Sequence, residues 1–158
     1  IVATGGGVIL QALFTPGHEV DHVSYYLGED RTLFTGDCIL GASSTTVRDL
    51  ASYMRSLELL TSYPHETICP GHGPVVPPPR GAALVRWYID HRQQREQQIL
   101  AALGKGLGTV EAITRDVYPS DLPAGLRRGA EQNVATHLEK LAKEGRVQEM
   151  PAQYRLRP

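Results

Sequence analysis

Three short motifs, each with a metal-competent side chain beside a glycine, most constrain how this chain can fold. They are Thr-Pro-Gly-His at residues 15–18, Thr-Gly-Asp-Cys at 35–38 and Cys-Pro-Gly-His-Gly at 69–73. Each follows a short apolar run, which predicts three strand ends that bring His18, Asp37 and His72 to one edge of a sheet. Glycine permits the sharp turn there, and proline fixes the approach of the backbone. Imidazole and carboxylate are ligands that zinc takes, so the motifs indicate a metal site.

Apolar runs bounded by turn residues predict five strands in the first half of the chain. We expect these strands at residues 1–4, 8–14, 23–27, 32–35 and 67–69. The Gly-Gly-Gly run at 5–7 is most simply a hairpin turn. A phosphate-binding loop is the alternative, which the lack of a following Gly-Lys-Ser/Thr disfavours. Apolar residues at helical spacing predict a helix over 47–62, and the proline-rich segment 75–80 is expected to be extended.

The second half of the chain has the pattern of a small helical domain that ends in a hairpin. Helices are predicted over 84–103, 110–117 and 130–144, a loop over 119–129, and strands over 147–150 and 154–156. Thr109 suits the N-cap of the second helix, and Gly145 suits the C-cap of the third. Three helices followed by a two-stranded wing are the layout of a winged helix. We therefore expect two domains, residues 1–79 and residues 80–158, with a linker helix at the start of the second.

The two halves differ in charge although the whole chain has a net charge of only −1. Residues 1–79 carry three basic and eight acidic side chains, a net of −5, while residues 80–158 carry thirteen and nine, a net of +4. This asymmetry fits either two modules, the second tolerant of polyanions, or ordinary surface variation. No apolar run reaches the roughly 18 residues of a membrane span, so no membrane partner is expected.

Two cysteines, Cys38 and Cys69, are too few for a disulfide framework. Reduced, packed thiols of an intracellular protein are the expected state, with a role for Cys38 at the metal as the alternative. The chain begins at Ile1 and shows no charged segment followed by an apolar one, so no signal peptide is predicted. We also expect that the chain starts within a domain.

The motifs resemble the third, fourth and fifth motifs of the metallo-β-lactamase superfamily. Residues 36–41, 70–75 and 88–100 look closer still to the β-lactamase-like protein 2 family, whose animal members include a mitochondrial endoribonuclease for single-stranded RNA. The resemblance runs from about Val8 to Val147. It implies an α/β (α+β) fold, in which the C-terminal half of a metallo-β-lactamase αββα sandwich is followed by a winged-helix domain.

The resemblance also implies a role for each motif. His18 would complete a first zinc site, Asp37 would bridge two zinc ions, and His72 would bind the second ion. A hydroxide held between the metals would be the nucleophile, since zinc lowers the pKa of its bound water. Asp37 is thus also a catalytic candidate, together with His22, for which we expect contact with substrate or with the metal ligands.

One departure from the family pattern concerns metal binding. The superfamily's main ligand motif, His-x-His-x-Asp-His, is absent, and only seventeen residues precede His18. The remaining ligands would give each ion at most two, whereas a catalytic zinc site normally has three protein ligands. We therefore expect an N-terminally truncated chain with reduced or absent zinc occupancy and no activity alone. Apolar sheet surface is expected to be exposed as well.

Three functions remain open at this level. The first is a zinc-dependent endoribonuclease for single-stranded RNA, placed in the mitochondrial matrix by the family. The second is an acyl-carrier thioesterase of the same fold, and the third is a non-catalytic winged-helix binding module. RNA needs a cationic channel, whereas an acyl chain needs an apolar one. The following basic residues could contact phosphate or form a solvated face: Arg127, Arg128, Lys140, Lys143, Arg146, Arg155 and Arg157.

The remaining histidines are expected to lie outside the metal site. His65 is predicted to be polar surface and His137 structural. His91 falls on a solvated helix face, with contact to substrate or to a domain interface as the alternative.

Overall fold

The structure is a computed structural model that describes residues 2–3, 5–42 and 44–157. Ile1 and Thr4, at the ends of the first predicted strand, lie outside the described residues. The chain forms two compact units, Ile1–Asp90 and His91–Pro158. The strands are β1 Val2–Ala3, β2 Ile9–Phe14, β3 Val23–Leu27, β4 Thr32–Gly36, β5 Thr67–Pro70, β6 Val147–Met150 and β7 Gln153–Leu156. The α-helices are α1 Leu50–Thr61, α2 Arg80–Gly104, α3 Val110–Val117 and α4 Ala124–Lys143, and a 3-10 turn covers Gly5–Gly7.

The first unit contains a five-stranded sheet in the order β1-β2-β3-β4-β5. Successive strands pair antiparallel except β4 and β5, which pair parallel. Strands β2, β4 and β5 therefore run in the same direction, and their carboxyl ends lie at the same edge of the sheet. The segments that carry His18, Asp37 and His72 follow these three ends, which confirms the predicted meeting of three strand ends at one edge.

The two faces of this sheet have different surroundings. On one face Leu13, Leu33 and Ile68 are buried, in one core with residues of α1 and of the start of α2. On the other face Tyr25 pairs with Phe34 across β3 and β4, and these side chains are 37% and 38% exposed. This face therefore presents apolar surface to solvent, as the sequence predicted.

Helix α1 begins at Leu50, three residues later than predicted. Asp49 has an extended backbone, and its Oδ1 accepts a hydrogen bond from the backbone N–H of Ser52, which is an N-cap. The backbone N–H groups of Arg48 and Asp49 donate to the carbonyl oxygen of Gly17. The loop that carries His18 is therefore bonded to the start of α1, and an earlier helix start would break these bonds.

The second unit is a winged helix, as predicted: α3 and α4 are followed by the antiparallel pair β6 and β7. Thr109 caps α3 with a bond from the N–H of Ala112 to its Oγ1, and Gly145 follows α4 with a φ of +73°. Its core consists of apolar side chains from the end of α2, from α3, α4 and β6: Ile99, Ala102, Leu103, Ile113, Val134, Leu138, Leu141 and Val147.

Two helix starts were predicted too late. The loop prediction over 119–129 is wrong from Ala124 onward, because α4 begins there directly after Pro123. Residues 124–129 are exposed or half-buried, so they show none of the apolar periodicity that would reveal a helix. Helix α2 begins at Arg80, after the proline run, rather than at residue 84.

The compact units divide at Asp90 and His91, inside α2, whereas the sequence placed a domain boundary between residues 79 and 80. Leu84 and Tyr88, in the first half of α2, belong to the core of the first unit, while Ile99 and Leu103 belong to the core of the second. A continuous helix gives no local sign of this division. Across the described part of the chain, no helix is long and apolar enough to span a membrane.

Candidate metal centre

Two histidines face the two oxygens of one carboxylate. His18 Nε2 lies 3.7 Å from Asp37 Oδ2, and His72 Nε2 lies 3.5 Å from Asp37 Oδ1. Both distances exceed the roughly 2.7–3.2 Å of an N–H···O hydrogen bond. Two ligand atoms that each lie about 2.0–2.2 Å from a tetrahedral zinc ion are roughly 3.4 Å apart. The separations therefore fit pairs of ligands around ions better than direct hydrogen bonds.

The loop after Asp37 sets the orientation of His18. The Nδ1–H of His18 donates to the carbonyl oxygen of Thr46 over 2.8 Å, an assignment made from the bonding partner. Thr45 Oγ1 lies 3.2 Å from the same nitrogen and donates to the carbonyl oxygen of Asp37 over 2.7 Å. With its proton on Nδ1, His18 keeps the Nε2 lone pair toward Asp37. Histidine ligands of metals are commonly held in this way by a bond to the other ring nitrogen.

Asp37 Oδ1 is buried and has no hydrogen-bond partner among the described residues. A buried carboxylate oxygen without a donor is costly, and a cation is one group that satisfies it. Gly71 lies against this oxygen, because a Cβ on Gly71 would be 2.9 Å from Asp37 Oδ1 and 3.1 Å from the carbonyl carbon of Gly36. A side chain at residue 71 would therefore separate the two loops that hold Asp37 and His72.

His22 lies beside His18. The two ring centroids are 6.1 Å apart with the rings nearly perpendicular, and His22 Nδ1 is 2.9 Å from Thr15 Oγ1. A Cβ on Gly36 would lie 2.8 Å from His22 Nε2, so the glycine makes room for the imidazole. Burial lowers the pKa of His22, and the charge of His18 lowers it further, while Asp37 opposes both. The structure thus brings the His22 imidazole to the edge of the site.

The structure brings these side chains together in pairs rather than as a group of three or more around one point. Among the described residues, no three His, Cys, Asp or Glu side chains surround one point in a way that could hold an ion. This agrees with the distances above, since His18 and His72 use different oxygens of Asp37. The site is open on the His72 side, where 78% of the imidazole is exposed, compared with 34% of Asp37 and 20% of His18.

Cys38 has no part in this site. The thiol lies in the core of the first unit with no exposed surface, and burial raises its pKa to about 12. Its carbonyl oxygen accepts a hydrogen bond from the Tyr53 hydroxyl over 2.7 Å, which fixes the backbone after Asp37. The alternative that Cys38 acts at the metal is therefore not supported by its position, because a buried neutral thiol is a poor ligand.

Sequence reasoning missed the residues that orient the site. Thr45 and Thr46 were treated as part of a small-residue loop, although they hold His18 and the backbone of Asp37. Thr15 and Ser24, whose hydroxyl oxygens are 2.9 Å apart, support His22. Single hydroxyl residues carry no spacing signal, so only the tertiary structure identifies them.

The sheet, α1 and the loops around Asp37 define a metallo-β-lactamase fold, and the second unit is the winged helix that accompanies it. Residues 2–72 match the model of the metallo-β-lactamase superfamily, and residues 109–153 match the β-lactamase-associated winged-helix domain. The chain belongs to the metallo-β-lactamase superfamily. The predicted fold class, the C-terminal half of this sandwich followed by a winged helix, is confirmed.

Relatives of the chain carry several different names. The chain is 41% identical over 143 residues to a β-lactamase-like protein 2 homolog of Caenorhabditis elegans, which covers 90% of this chain and 48% of that protein. It is 42% identical over 97 residues to an atrochrysone carboxyl ACP thioesterase of Aspergillus fumigatus, which covers 61% of this chain and 30% of that protein. A metallo-β-lactamase family protein of Thermus thermophilus has a similar crystal structure, with a TM-score of 0.75 and 27% identity over 96% of this chain and 50% of its own. The chain thus spans about half the length of the β-lactamase-like relative and of the solved structure.

Proposed function

We propose that His18, Asp37 and His72 are ligands of a two-metal hydrolytic centre and that the complete protein is an endonuclease for single-stranded RNA. Membership of a family of metallo-β-lactamase-fold hydrolases supports the reaction class. The observation that carries the proposal is the placement of two histidines on opposite oxygens of one carboxylate. A carboxylate can bridge two cations through its two oxygens, and each imidazole then adds one nitrogen.

The residues of this chain fit zinc in their donor types and separations. Zinc, when bound, would lower the pKa of a water and polarise the phosphoryl group of the substrate. Thr46 holds His18 with its Nε2 available, and the buried Oδ1 of Asp37 has no competing donor among the described residues. Each ion would find two ligands here, one fewer than the three of a usual catalytic site. We therefore expect this chain alone to bind zinc weakly and to be inactive.

The net charge of +4 over residues 80–158 supports a polyanionic substrate. The support is smaller than the count of basic residues suggests. Lys140 and Arg146 both form ion pairs with Glu96, and Arg155 donates to Gln148. The wing is therefore proposed as a secondary contact with RNA.

A thioesterase is the second candidate, because an apolar cavity lies beside the loop of His72. Leu40, Ala42 and Leu84 are among its lining residues, and an acyl chain needs such a surface. The Aspergillus relative named as a thioesterase favours the same reading. A non-catalytic binding module is the third candidate, favoured by the winged helix of the second unit.

The experiment compares hydrolysis of a labelled single-stranded RNA and of an acyl thioester by the complete protein at saturating zinc. Asp37→Asn should lower RNA cleavage by more than about 100-fold, since loss of groups that merely support metal ligands costs 10–100-fold. His72→Gln should behave similarly. His65→Gln is the matched control, because the His65 imidazole bonds the carbonyl oxygen of Tyr63 and lies outside the site.

Each outcome assigns the function. RNA cleavage that survives Asp37→Asn contradicts the proposal. Thioester hydrolysis that depends on Asp37, without RNA cleavage, assigns the substrate to acyl carriers. Absence of both reactions when zinc is shown to be bound favours the binding module.

A further inference from the structure

A cavity of about 450 Å³ lies in the first unit, between the loop after Asp37 and the start of α2. Its volume is within the roughly 300–1,000 Å³ of small-molecule sites. Leu40, Ala42 and Leu84 give it an apolar wall, and Arg80 and Trp87 line it as well. None of these residues belongs to the candidate metal centre, so the cavity needs an explanation of its own.

The cavity is adjacent to the His72 side of the metal centre. The backbone N–H of Gly41, one of the lining residues, faces the carbonyl oxygen of His72 at 3.5 Å. A Cβ on Gly41 would lie 2.2 Å from the carbonyl oxygen of Pro74, so the two loops are in direct contact. The loop that lines the cavity is therefore packed against the segment that carries His72.

Hydrogen bonds and a ring contact fix the aromatic side chains that line the cavity. The Tyr88 hydroxyl accepts a hydrogen bond from the N–H of Leu40 over 3.0 Å and also lies 3.2 Å from the carbonyl oxygen of Leu40. The Trp87 ring meets the Tyr88 ring edge-on, with centroids 5.3 Å apart. Trp87 nevertheless remains 51% exposed. A large indole that is fixed in position and half exposed is suited to stacking with a flat ring.

A positively charged side chain also lines this cavity. Arg80 Nη2 donates to the carbonyl oxygen of Gly41 over 3.2 Å, which holds the guanidinium beside the loop. A guanidinium has five N–H donors in a planar fork that matches phosphate oxygens. A nucleotide offers both a phosphate for this cation and a flat ring for the indole.

We propose that this cavity binds one base of a single-stranded RNA, with the Trp87 indole stacked on the base and the Arg80 guanidinium on the adjacent phosphate. Aromatic side chains bind single-stranded nucleic acid by such stacking without sequence preference. The proposal rests on the RNA substrate proposed above and names where one nucleotide of it is held.

Trp87 is the single tryptophan of the chain, so its fluorescence reports directly on the cavity. The purified chain in EDTA is titrated with adenosine 5′-monophosphate, with adenosine and with a decanoyl thioester of N-acetylcysteamine. We expect adenosine and its monophosphate to quench the fluorescence. Arg80→Gln should weaken binding of the monophosphate about tenfold while leaving binding of adenosine unchanged. Arg86→Gln is the matched control, because Arg86 is an exposed arginine of α2 that does not line the cavity.

A second measurement does not depend on the indole signal. Anisotropy of a labelled RNA tetranucleotide should show weaker binding to Trp87→Ala by at least about fivefold, and a smaller loss for Trp87→Phe. Equal affinity of wild type and Trp87→Ala overturns the proposal. A fluorescence change with the thioester and none with adenosine or its monophosphate overturns it in favour of an acyl site. No change with any ligand also overturns it.

These measurements are separate from the test of the hydrolytic centre, because they use metal-free protein and no reaction. RNA cleavage that depends on Asp37, without a nucleotide effect on Trp87, would reject the base site and leave the proposed function intact. Nucleotide binding at Trp87 without RNA cleavage would leave the base site intact and reject the proposed hydrolytic function.

Discussion

The metal centre of the first unit and the winged helix of the second use their ionisable side chains in opposite ways. Around Asp37, nitrogen and oxygen atoms that can bind a metal face one another at distances too long for hydrogen bonds. The His72 imidazole there is 78% exposed. In the winged helix, Glu96 and Lys140 are only 13% and 14% exposed and bond each other over 2.7 Å. The first arrangement leaves ligand atoms available for chemistry, while the second satisfies charges internally. A count of charged residues therefore does not show which region binds a charged partner.

The largest effect should come from the close contact that supports the metal centre. Gly17 has a φ of +137°, and a Cβ there would lie 2.4 Å from the Cα of Tyr53. Gly17→Ala should therefore destabilise the first unit by about 3 kcal/mol or more, measured by hydrogen exchange of α1 amides. The matched control is Gly129→Ala in α4, which meets no atom within 4 Å and should be neutral or stabilising. A neutral Gly17→Ala would contradict the close packing of this loop on α1.

The second effect is a pH dependence in the winged helix. Burial lowers the pKa of His137 from 6.5 to about 4, with the charge of Arg92 acting in the same direction against the bond to the Asn133 carbonyl. Above the unfolded pKa neither state is protonated. As the pH falls below it, the unfolded state binds the proton first, so stability is lost between about 6.5 and 4. The full loss is about 3 kcal/mol.

The measurement is denaturant unfolding across this pH range, followed by hydrogen exchange in α4. His137→Gln should show a flatter profile than the wild type, whereas His65→Gln should keep the wild-type slope. Equal slopes for all three proteins would show that His137 is protonated as easily when folded as when unfolded.

A third, smaller effect concerns the ion pairs of the wing. Burial by itself would raise the pKa of Glu96, but the bonds and charges of Lys140 and Arg146 outweigh it and lower the pKa. The pairs therefore stabilise above the unfolded pKa of Glu96, and this contribution is lost as the pH falls. Glu96→Gln should cost about 1–2 kcal/mol at neutral pH, because the pairs are largely shielded from solvent. The matched control is Glu111→Gln, whose exposed pair with Arg115 should contribute little.

The smallest effect should be on RNA affinity through the wing. Arg128→Gln combined with Lys143→Gln removes two exposed cations of α4, and we expect less than about threefold weaker binding at physiological ionic strength. Arg80→Gln should have the larger effect, about tenfold. Affinity measured as a function of salt checks both, and a larger loss from the α4 pair would move the main RNA contact to the winged helix.

Much of the fold followed from the sequence. The strands around Asp37, the N-cap at Thr109 and the wing hairpin were predicted because each depends on a local pattern of apolar, capping or turn residues. The start of α4 was missed because residues 124–129 have no buried face. The division inside α2 was also beyond local patterns, because it depends on which distant side chains each half of the helix contacts.

The candidate site shows the same limit. The motifs named His18, His22, Asp37 and His72, and their ligand roles stay predictions until metal binding is measured. Nothing local identified Thr45 and Thr46 as the groups that orient His18, or Trp87 and Arg80 as neighbours at one cavity. Residue type reveals which chemistry a side chain can perform, but not which other side chain it faces.

The sequence by itself predicted the three glycine-flanked motifs, the helix caps at Thr109 and Gly145, and the fold classes of the two units. These features depend on residues that lie close together in the chain. Only the tertiary structure decided that two imidazoles lie at opposite oxygens of Asp37, that Lys140 and Arg146 are paired with Glu96, and that an aromatic cavity adjoins the segment of His72. The physical reason is that ångström-scale distances between remote residues depend on strand order and loop packing, which the whole chain sets together.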